Sequence, residues 1–531
     1  MTLYKSDKLD GPYDTIVIGS GIGGLATAAL LAKEGQKVLV LERHYVAGGF
    51  THTFSRKGYE WDVGLHYIGE VHRKNSILRL LFDDITDGAL QWSLMPDVYD
   101  KISFGPAGEE SYEFVAGKKQ FSEKLQNYFP DEREAIKKYI SLVSEAAGNS
   151  KNFFGEKALS PAVGYLASPF LRSKFLEFSD QTTLQVLSKL TKNKKLIGVL
   201  TSQYGDYGLP PSQSSFAIHA MIAKHYFDGG NYPIGGSSQI AATIAPVIEK
   251  SGGKILVRAD VREILVDGNK AVGVRLANGD EIKAKKVVSD AGVINTFGRL
   301  LPEKISSRFN LQKKLLKVHS SLAHICLYVG LRHSTADLKL GQANYWIYPD
   351  YDHDENIRRY LANPEGPLPV TYISFPSAKD PSWDKRFPGR STIEVIGFVP
   401  YDWFKKWEDK PWMKRGEDYE AYKEKLSERL LEQLYRFVPQ VKGKIDHYEL
   451  STPLSTRHFC NYQNGEIYGI DHTPERFRLR WLRPHTPIQN LFLTGQDIVS
   501  DGVTGALFGG VLTASAILRR NVVKDVLART R

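Results

Sequence analysis

Near its N-terminus the chain changes from a strand pattern to a helix pattern and back within about thirty residues. Residues 15–18 form a short run rich in β-branched side chains, which is typical of a buried parallel strand. Glycines follow, residues 25–33 carry helix formers, and residues 37–41 form a second apolar run. The uncharged stretch 15–32 contains four glycines, so we interpret it as strand, turn and helix rather than as a transmembrane helix. This order predicts a β–α–β nucleotide-binding unit.

The turn between the first strand and the helix carries a GxGxxG motif. Gly19 permits a tight turn, Gly21 lets the backbone approach a pyrophosphate, and Gly24 lets the helix close on the strand. Gly23 belongs to the same glycine-rich stretch, and the start of the helix would direct its free N–H groups at the phosphates. The alternative is a structural turn without a nucleotide, since glycine-rich turns are common.

An acid follows the second predicted strand. Glu42 stands 23 positions after Gly19, where a ribose 2′-hydroxyl would need an acceptor. A carboxylate there argues against a 2′-phosphate, although Arg43 beside it weakens that argument. This end of the chain therefore predicts an unphosphorylated dinucleotide, NAD or FAD.

A second candidate site lies near the C-terminus. Residues 490–494 read as a strand that ends at Gly495, and Asp497 follows two positions later. Gly505 and Ala506 then precede a helical run to Arg520. Taken alone, this pattern is also compatible with a bare β–turn–α connection.

Two segments after Glu42 resemble the flavin-dependent amine oxidase and phytoene desaturase superfamily, namely AGGFT at 47–51 and GYEWDVG at 58–64. In that superfamily a second glycine pair lies along the flavin, and Phe50 departs from the arginine that most relatives place after the pair. The resemblance implies FAD as the cofactor. It implies that Asp497 binds the ribityl or pyrophosphate region and that Gly505 and Ala506 open a helix beneath the isoalloxazine. The cofactor-binding residues it implies are Gly19, Gly21, Gly23, Gly24, Glu42, Arg43, Gly48, Gly49, Phe50, Val261, Asp290, Gly495, Asp497, Gly505 and Ala506.

Further blocks resemble the retinol saturase branch of this superfamily, which borders on carotenoid isomerases and desaturases. They are QYGDYGLPP at 203–211, HYFDGGNYP at 225–233, GGSS at 235–238 and LTGQD at 493–497. The resemblance implies an FAD-dependent oxidoreductase that acts on a C=C bond of a long apolar polyene or lipid. A saturase is the leading hypothesis, and a desaturase or a cis-trans isomerase is the alternative. A flavin-free protein that binds prenylated partners is a more remote alternative, which the intact glycines and acids disfavour.

Addition of two hydrogens to an alkene needs a proton as well as a hydride. His66, Tyr67, His225 and Tyr226 lie in or near the family-like blocks, and histidine and tyrosine can supply that proton. The alternative for each is a structural polar residue near a pocket, and a flavin enzyme of this kind can work without a single essential acid.

The element pattern predicts an α/β protein with two discontinuous domains. A Rossmann-like FAD-binding domain of the glutathione-reductase type takes residues 12–75, 235–300 and 485–520. A substrate-binding domain with a mixed sheet and helices takes 76–234 and 301–484, with a helical insertion at about 120–230. The proline-rich stretch 361–376 reads as a surface loop.

Charge and cysteine content narrow the remaining possibilities. The net charge is +10, but the basic residues form no stripe, so no nucleic-acid partner is expected. Two cysteines without CxxC spacing predict neither a disulfide scaffold nor a metal site.

The polar segment 1–13 and the few cysteines favour a cytoplasmic location. The aromatic and basic stretch 152–200 is either an ordinary helical core or a membrane-dipping entrance, which would place the protein peripherally on the inner membrane face. The external electron donor or acceptor stays unknown.

Overall fold

The structure, a computed structural model, describes residues 1–530 and contains two large sheets. In the first sheet, Tyr13–Ile18 lies between two parallel neighbours, Val38–Glu42 and Glu281–Ser289. Leu491–Leu493 also runs parallel to Glu281–Ser289, so the two ends of the chain meet in one sheet. The remaining strands of this sheet are Thr2–Leu3, Lys254–Val257, Val261–Asp267 and Lys270–Leu276.

The first sheet is held together by close contact between helices and strands. Helix Ile22–Ala32 is buried along its whole length and packs against helices Gln239–Glu249 and Gly502–Leu518. A Cβ at Gly23 would lie 2.5 Å from Gly495 Cα, and one at Gly510 would lie 2.7 Å from the Gly23 carbonyl oxygen. Glycine at these positions therefore lets the N-terminal and C-terminal helices approach the sheet and each other.

The second sheet is mixed. Asn344–Tyr348 pairs in parallel with Val98–Phe104, and the other neighbouring strands of this sheet are antiparallel. Its other strands are Glu110–Val115, Ala323–Leu331, Thr371–Ser374, Ser391–Val399 and Ile445–Ser451. Helix Glu417–Phe437 packs on this sheet through an apolar stripe, as its 3.6-residue pattern requires.

The expected surface loop at 361–376 is wrong in part. Thr371–Ser374 is a fully buried strand between Asn344–Tyr348 and Ser391–Val399. Pro364, Pro367 and Pro369 lie in the segment before this strand. The strand itself is too short to show a clear alternation of apolar and polar residues.

Helices fill the region from residue 118 to residue 226. They are Lys118–Tyr128, Arg133–Ala158, Pro161–Ser179, Thr183–Leu190, Lys194–Leu200 and Phe216–Tyr226. The large apolar residues of this region divide into two groups. Phe153 and Phe175 stack in the core with ring centroids 4.2 Å apart, whereas Leu166 and Phe170 are 75% and 84% exposed on helix Pro161–Ser179.

The other elements connect the two sheets. Two small two-stranded antiparallel sheets pair Thr53–Arg56 with Tyr59–Asp62, as a hairpin, and Trp92–Leu94 with the distant strand Asn231–Pro233. The remaining α-helices are Ile77–Ile85, Val293–Asn295, Glu303–Arg308, Leu311–Leu315, His353–Ala362, Pro376–Lys379, Trp383–Arg386, Pro453–Cys460, Pro474–Arg478 and Val522–Thr530. Short 3₁₀ or π turns occur at Ser6–Lys8, Gly49–Thr51, Pro130–Glu132, Tyr204–Asp206, Thr296–Leu300, Tyr401–Trp407, Pro439–Val441 and Gln496–Ile498.

Within residues 1–530 no single helix is long and apolar enough to cross a membrane. Helices Gly502–Leu518 and Val522–Thr530 meet the length and composition requirement only together, with a bend of 108° between them. Most residues of the first of these helices are buried in the protein.

Candidate cofactor and substrate site

A long cavity joins the two sheets. One part is lined by the loops at the carboxyl ends of the first sheet's strands, the place where open α/β sheets bind nucleotides. The other part is lined by three side chains that are neighbours across the second sheet, Trp346, Tyr372 and Ile396. His324 and Phe398, a second cross-strand pair, extend this wall. We call this apolar part the sheet chamber, defined by His324, Trp346, Tyr372, Ile396 and Phe398.

The glycine-rich turn forms the floor of the nucleotide part. A Cβ at Gly21 would lie 2.6 Å from the Asp290 carboxyl, and one at Gly49 would lie 3.0 Å from Gly21 Cα. A Cβ at Gly24 would lie 2.5 Å from the Gly19 carbonyl oxygen, so Gly24 lets the helix close on the strand. Gly19, Gly21, Gly23, Gly48, Gly49 and Asp290 all line the cavity. The start of helix Ile22–Ala32 thus presents N–H groups to an anion, which fits a dinucleotide pyrophosphate.

Glu42 lies at the end of its strand, as the sequence predicts, and the protein fixes its orientation. Its carboxylate accepts hydrogen bonds from the Ser20 backbone N–H at 2.9 Å, the Ser20 hydroxyl at 2.7 Å and the His44 backbone N–H at 2.7 Å. Arg43 donates from Nη1 to the His458 carbonyl oxygen at 2.7 Å. Both residues line the cavity beside Val261.

The C-terminal segment meets the same cavity. Asp497 lines it and accepts hydrogen bonds from the backbone N–H groups of Val293 at 2.7 Å and Ile470 at 3.2 Å. These bonds hold its carboxylate in place and tie three distant segments together. Gly495 is not among the lining residues, and a Cβ there would lie 2.3 Å from the Asp290 carboxyl, so this glycine serves close packing.

The expectation that Gly505 and Ala506 open the last long helix is wrong. The helix begins at Gly502, three residues earlier, and Gly505 lies inside it. A Cβ at Gly505 would lie 2.1 Å from the Ser500 carbonyl oxygen, so the close approach of that turn requires glycine there. Gly502 and Ala506 line the cavity, and the helix start still faces it.

Phe50, which departs from the amine oxidase pattern, lies on the cavity wall. Its ring stacks against Tyr462 with centroids 6.0 Å apart and planes 15° apart. Tyr462 gave no signal in the sequence because it comes from a loop far along the chain. An apolar aromatic pair therefore stands where most relatives of the superfamily have a cation.

Of the four predicted proton donors, His66 is the one that lines the cavity. Its Nδ1 lies 2.8 Å from a carboxyl oxygen of Glu394. Burial lowers the pKa of His66 to about 4 and raises the pKa of Glu394 to about 8. Burial therefore acts against an ion pair and favours the arrangement in which the Glu394 carboxyl donates its proton to the imidazole. Glu394 interrupts the apolar run of strand Ser391–Val399. Because an acid is rarely buried in such a run without a partner, this interruption could have identified Glu394 as a candidate site residue from the sequence.

The structure places Tyr67, His225 and Tyr226 behind the cavity wall rather than on it. The Tyr67 hydroxyl lies between the carboxyl groups of Asp100, at 3.0 Å, and Asp206, at 3.1 Å. Tyr226 stacks on the Tyr67 ring with centroids 4.3 Å apart, and His225 Nε2 accepts the Gly69 backbone N–H at 2.8 Å. For His225 and Tyr226 this geometry favours the structural alternative over proton transfer.

We therefore expect His225→Ala to destabilise the fold. The buried Gly69 N–H would lose its acceptor, which costs about 1–3 kcal/mol for an unsatisfied buried group. Urea unfolding measures this loss, and His225→Gln, whose side-chain oxygen can accept the same bond, should recover part of it. A His225→Ala protein with unchanged stability would contradict the structural role.

Strand, glycine turn, helix and terminal acid together define a flavoprotein of the dinucleotide-binding class. The family model for flavin containing amine oxidoreductases matches residues 22–518, and the chain belongs to that family. It is an FAD-dependent oxidoreductase, with FAD as its cofactor.

Comparison with individual proteins shows which branch of the family the chain resembles. The chain is 39% identical to all-trans-retinol 13,14-reductase of Danio rerio, over 98% of this chain and 88% of the relative. It is 28% identical to prolycopene isomerase 1, chloroplastic, of an Oncidium hybrid cultivar, over 95% of this chain and 84% of the relative. Among solved structures, wild-type putrescine oxidase bound to putrescine superimposes with a TM-score of 0.63 at 15% identity, over 96% of this chain and 99% of that one. The last likeness concerns the fold alone. The resemblance to the retinol saturase and carotenoid isomerase branch is thereby confirmed.

Proposed function

We propose that this protein is an FAD-dependent saturase that adds two hydrogens across a C=C bond of a retinoid-like polyene. The observation that carries the proposal is the identity of 39% to all-trans-retinol 13,14-reductase over nearly the whole chain, which includes both sheets and the cavity between them. Reduced FAD supplies the hydride of such a reaction when it is bound.

The sheet chamber supports an apolar substrate. Trp346, Tyr372, Ile396 and Phe398 present aromatic and aliphatic surface, and Val370 and Leu300 also line the cavity. Each methylene that a ligand buries contributes about 0.8 kcal/mol, so a wall of this kind offsets the cost of removing a polyene from a lipid phase. His66, His324 and Asp206 also line this cavity and can take part in proton transfer.

The chain's own residues would perform three tasks in this reaction. The glycine turn and Glu42 hold the dinucleotide, the sheet chamber orients the polyene and excludes water, and a proton-bearing side chain completes the addition. His66, supported by Glu394, is the predicted proton donor that the structure leaves facing the cavity.

A product analysis tests the function. The purified holoprotein is reduced anaerobically with dithionite and incubated with all-trans-retinol in detergent micelles, in ordinary water and in deuterium oxide. The saturase proposal expects a product two mass units above retinol, and two units higher again in deuterium oxide, because both added hydrogens then derive from the solvent. Recovery of only unreacted retinol after incubation with the reduced holoprotein would overturn the proposal.

An isomerase is the second candidate, and the 28% identity to prolycopene isomerase favours it over a desaturase. In the same assay a product of unchanged mass but altered chromatographic retention would select isomerisation. A product two units lighter, formed only by oxidised protein, would select desaturation.

We also propose that the protein contacts an anionic membrane peripherally from the cytoplasmic side. Val163, Leu166 and Phe170 form an exposed apolar face on helix Pro161–Ser179, and Lys174 is exposed one turn further on. Apolar side chains flanked by a cation suit a lipid headgroup boundary. Flotation with vesicles of phosphatidylserine and phosphatidylcholine should recover the protein, and Leu166→Ser with Phe170→Ser should abolish recovery. Equal flotation of the wild type and the double variant would contradict this surface.

A further inference from the structure

Asp206 is a half-buried acid on the cavity that none of the predicted roles includes. It ends the short turn Tyr204–Asp206 and lies beside the sheet chamber. The turn is fixed closely against that chamber, because a Cβ at Gly205 would lie 2.4 Å from the Trp346 ring. Asp206 is thus held near the bound substrate by a glycine that permits no larger residue.

The hydrogen bonds around Asp206 determine which acid carries a proton. Asp100 accepts from Asn344 Nδ2 at 2.9 Å, Gln203 Nε2 at 3.0 Å, Trp346 Nε1 at 3.2 Å and the Tyr67 hydroxyl at 3.0 Å. These four hydrogen bonds, three to Oδ2 and one to Oδ1, stabilise the ionised form of Asp100 against the burial that raises its pKa, whereas Asp206 is close to one hydroxyl only. Asp100 is therefore the ionised member of the group.

Tyr67 has a single hydroxyl proton, and the charged Asp100 is the stronger acceptor for it. Asp206 Oδ2, 3.1 Å from the same hydroxyl oxygen, is then left facing a lone pair and can bond only by donating a proton. Across residues 1–530 the other carboxyl oxygen, Oδ1, has no hydrogen-bond partner in the protein, and the charged groups that act on Asp206 are the acids Asp100 and Asp501 rather than a cation. Burial and the neighbouring Asp100 carboxylate raise the pKa of Asp206 well above its usual range.

We propose that Asp206 is the proton donor of the reaction, a neutral carboxylic acid that Tyr67 and Asp100 hold in its protonated form. This inference rests on the proposed saturase function. One alkene carbon takes the hydride and the other takes the Asp206 proton. The π bond and the carboxyl O–H bond break, two C–H bonds form, and Asp206 is left as a carboxylate. Reduced FAD, when bound, would supply the hydride and with it the two electrons, and Asp206 regains a proton from water when the product leaves.

His66 is the rival donor, and its chemistry is less suited to this step. Burial lowers the pKa of His66 to about 4, so at neutral pH it carries no imidazolium proton. A neutral imidazole N–H is a much weaker acid than a carboxylic acid, and its proton would move only together with that of Glu394. Asp206 can give its proton in one step, with Tyr67 as the positioning residue.

The test compares Asp206→Asn with wild-type holoprotein and with Asp384→Asn, a matched change at an exposed site. With dithionite-reduced protein and all-trans-retinol, we expect flavin reoxidation in Asp206→Asn to slow by about a hundredfold or more, the contribution of a general acid. FAD content and retinol binding, the latter measured by fluorescence quenching, should match those of the wild type.

A second measurement does not depend on turnover. The infrared spectrum of the holoprotein in deuterium oxide at neutral pH should show a C=O band of a protonated carboxylic acid that Asp206→Asn removes and Asp384→Asn retains. Tyr67→Phe should shift this band, because the acceptor of the Asp206 proton is lost. A band unchanged in Asp206→Asn overturns the inference whatever the substrate is, and so does wild-type flavin reoxidation in that variant. If the wild type fails to reduce retinol while the band is lost, the proposed function is wrong and the neutral acid stands.

Discussion

Gly21→Val is expected to yield a folded protein without FAD. Gly21 lines the cavity at the start of helix Ile22–Ala32, and its Cβ would lie 2.6 Å from the Asp290 carboxyl. A branched side chain there would push Asp290 aside and fill the space where the backbone approaches the pyrophosphate. We expect FAD affinity to fall by about a hundredfold or more, equivalent to about 2.7 kcal/mol, measured as visible flavin absorbance per protein after gel filtration.

Gly148→Ala supplies the matched control. Gly148 lies in helix Arg133–Ala158, and a Cβ there meets nothing within 4 Å. This variant should retain FAD and gain up to about 1 kcal/mol of stability, since alanine favours a helix interior more than glycine does. Full flavin content in Gly21→Val, with circular dichroism like that of the wild type, would show that the phosphates do not pass over this turn.

FAD affinity is expected to decrease with rising pH through the titration of Asp290. Burial raises the pKa of Asp290 to about 8, so its carboxyl is protonated in the cofactor-free protein at neutral pH. It lies against Gly21 and Gly24, where a negatively charged pyrophosphate would oppose its ionisation further. FAD therefore binds the protonated form better, and above about pH 8 binding requires the uptake of a proton.

The sign of this effect can be measured directly. Kd for FAD, measured by fluorescence titration of apoprotein, should be flat below about pH 7 and rise by up to about tenfold per pH unit above the Asp290 pKa. Asp290→Asn keeps the shape of the side chain without the titrating group and should flatten the curve. The same raised pKa means that Asp290 contributes less to apoprotein stability as pH rises towards 8. A slope that persists in Asp290→Asn would assign the proton uptake to another group.

The nucleotide part of the site was predictable because its signals are local. Gly19, Gly21, Gly24 and Glu42 lie within one β–α–β unit, and each has a backbone or side-chain task that its spacing reveals. The helix start at Gly502 was missed because a Gly-Ala pair three residues later carries the same pattern.

The chemistry of the sheet chamber was much less predictable. His225 and Tyr226 look like proton donors in sequence, yet nothing in their local pattern shows that they face away from the cavity. The state of Asp206 depends on Tyr67 and Asp100, which lie more than a hundred residues away along the chain. Such a network exists only after the Tyr67 loop and the turn Tyr204–Asp206 have packed against strand Val98–Phe104 of the second sheet, so no window of sequence contains it.

The pairing of Leu491–Leu493 with Glu281–Ser289, next to Tyr13–Ile18, also constrains the order of events during synthesis. Until the ribosome has released this late strand and helix Gly502–Leu518, the apolar helix Ile22–Ala32 lacks one of its packing partners. Apolar surface of helix Ile22–Ala32 therefore stays exposed while nearly all of the polypeptide is synthesised. Such exposed apolar surface favours contact with chaperones. Insertion of the flavin is accordingly a post-translational step, and a chain that stops short of residue 491 has no complete pocket to receive it.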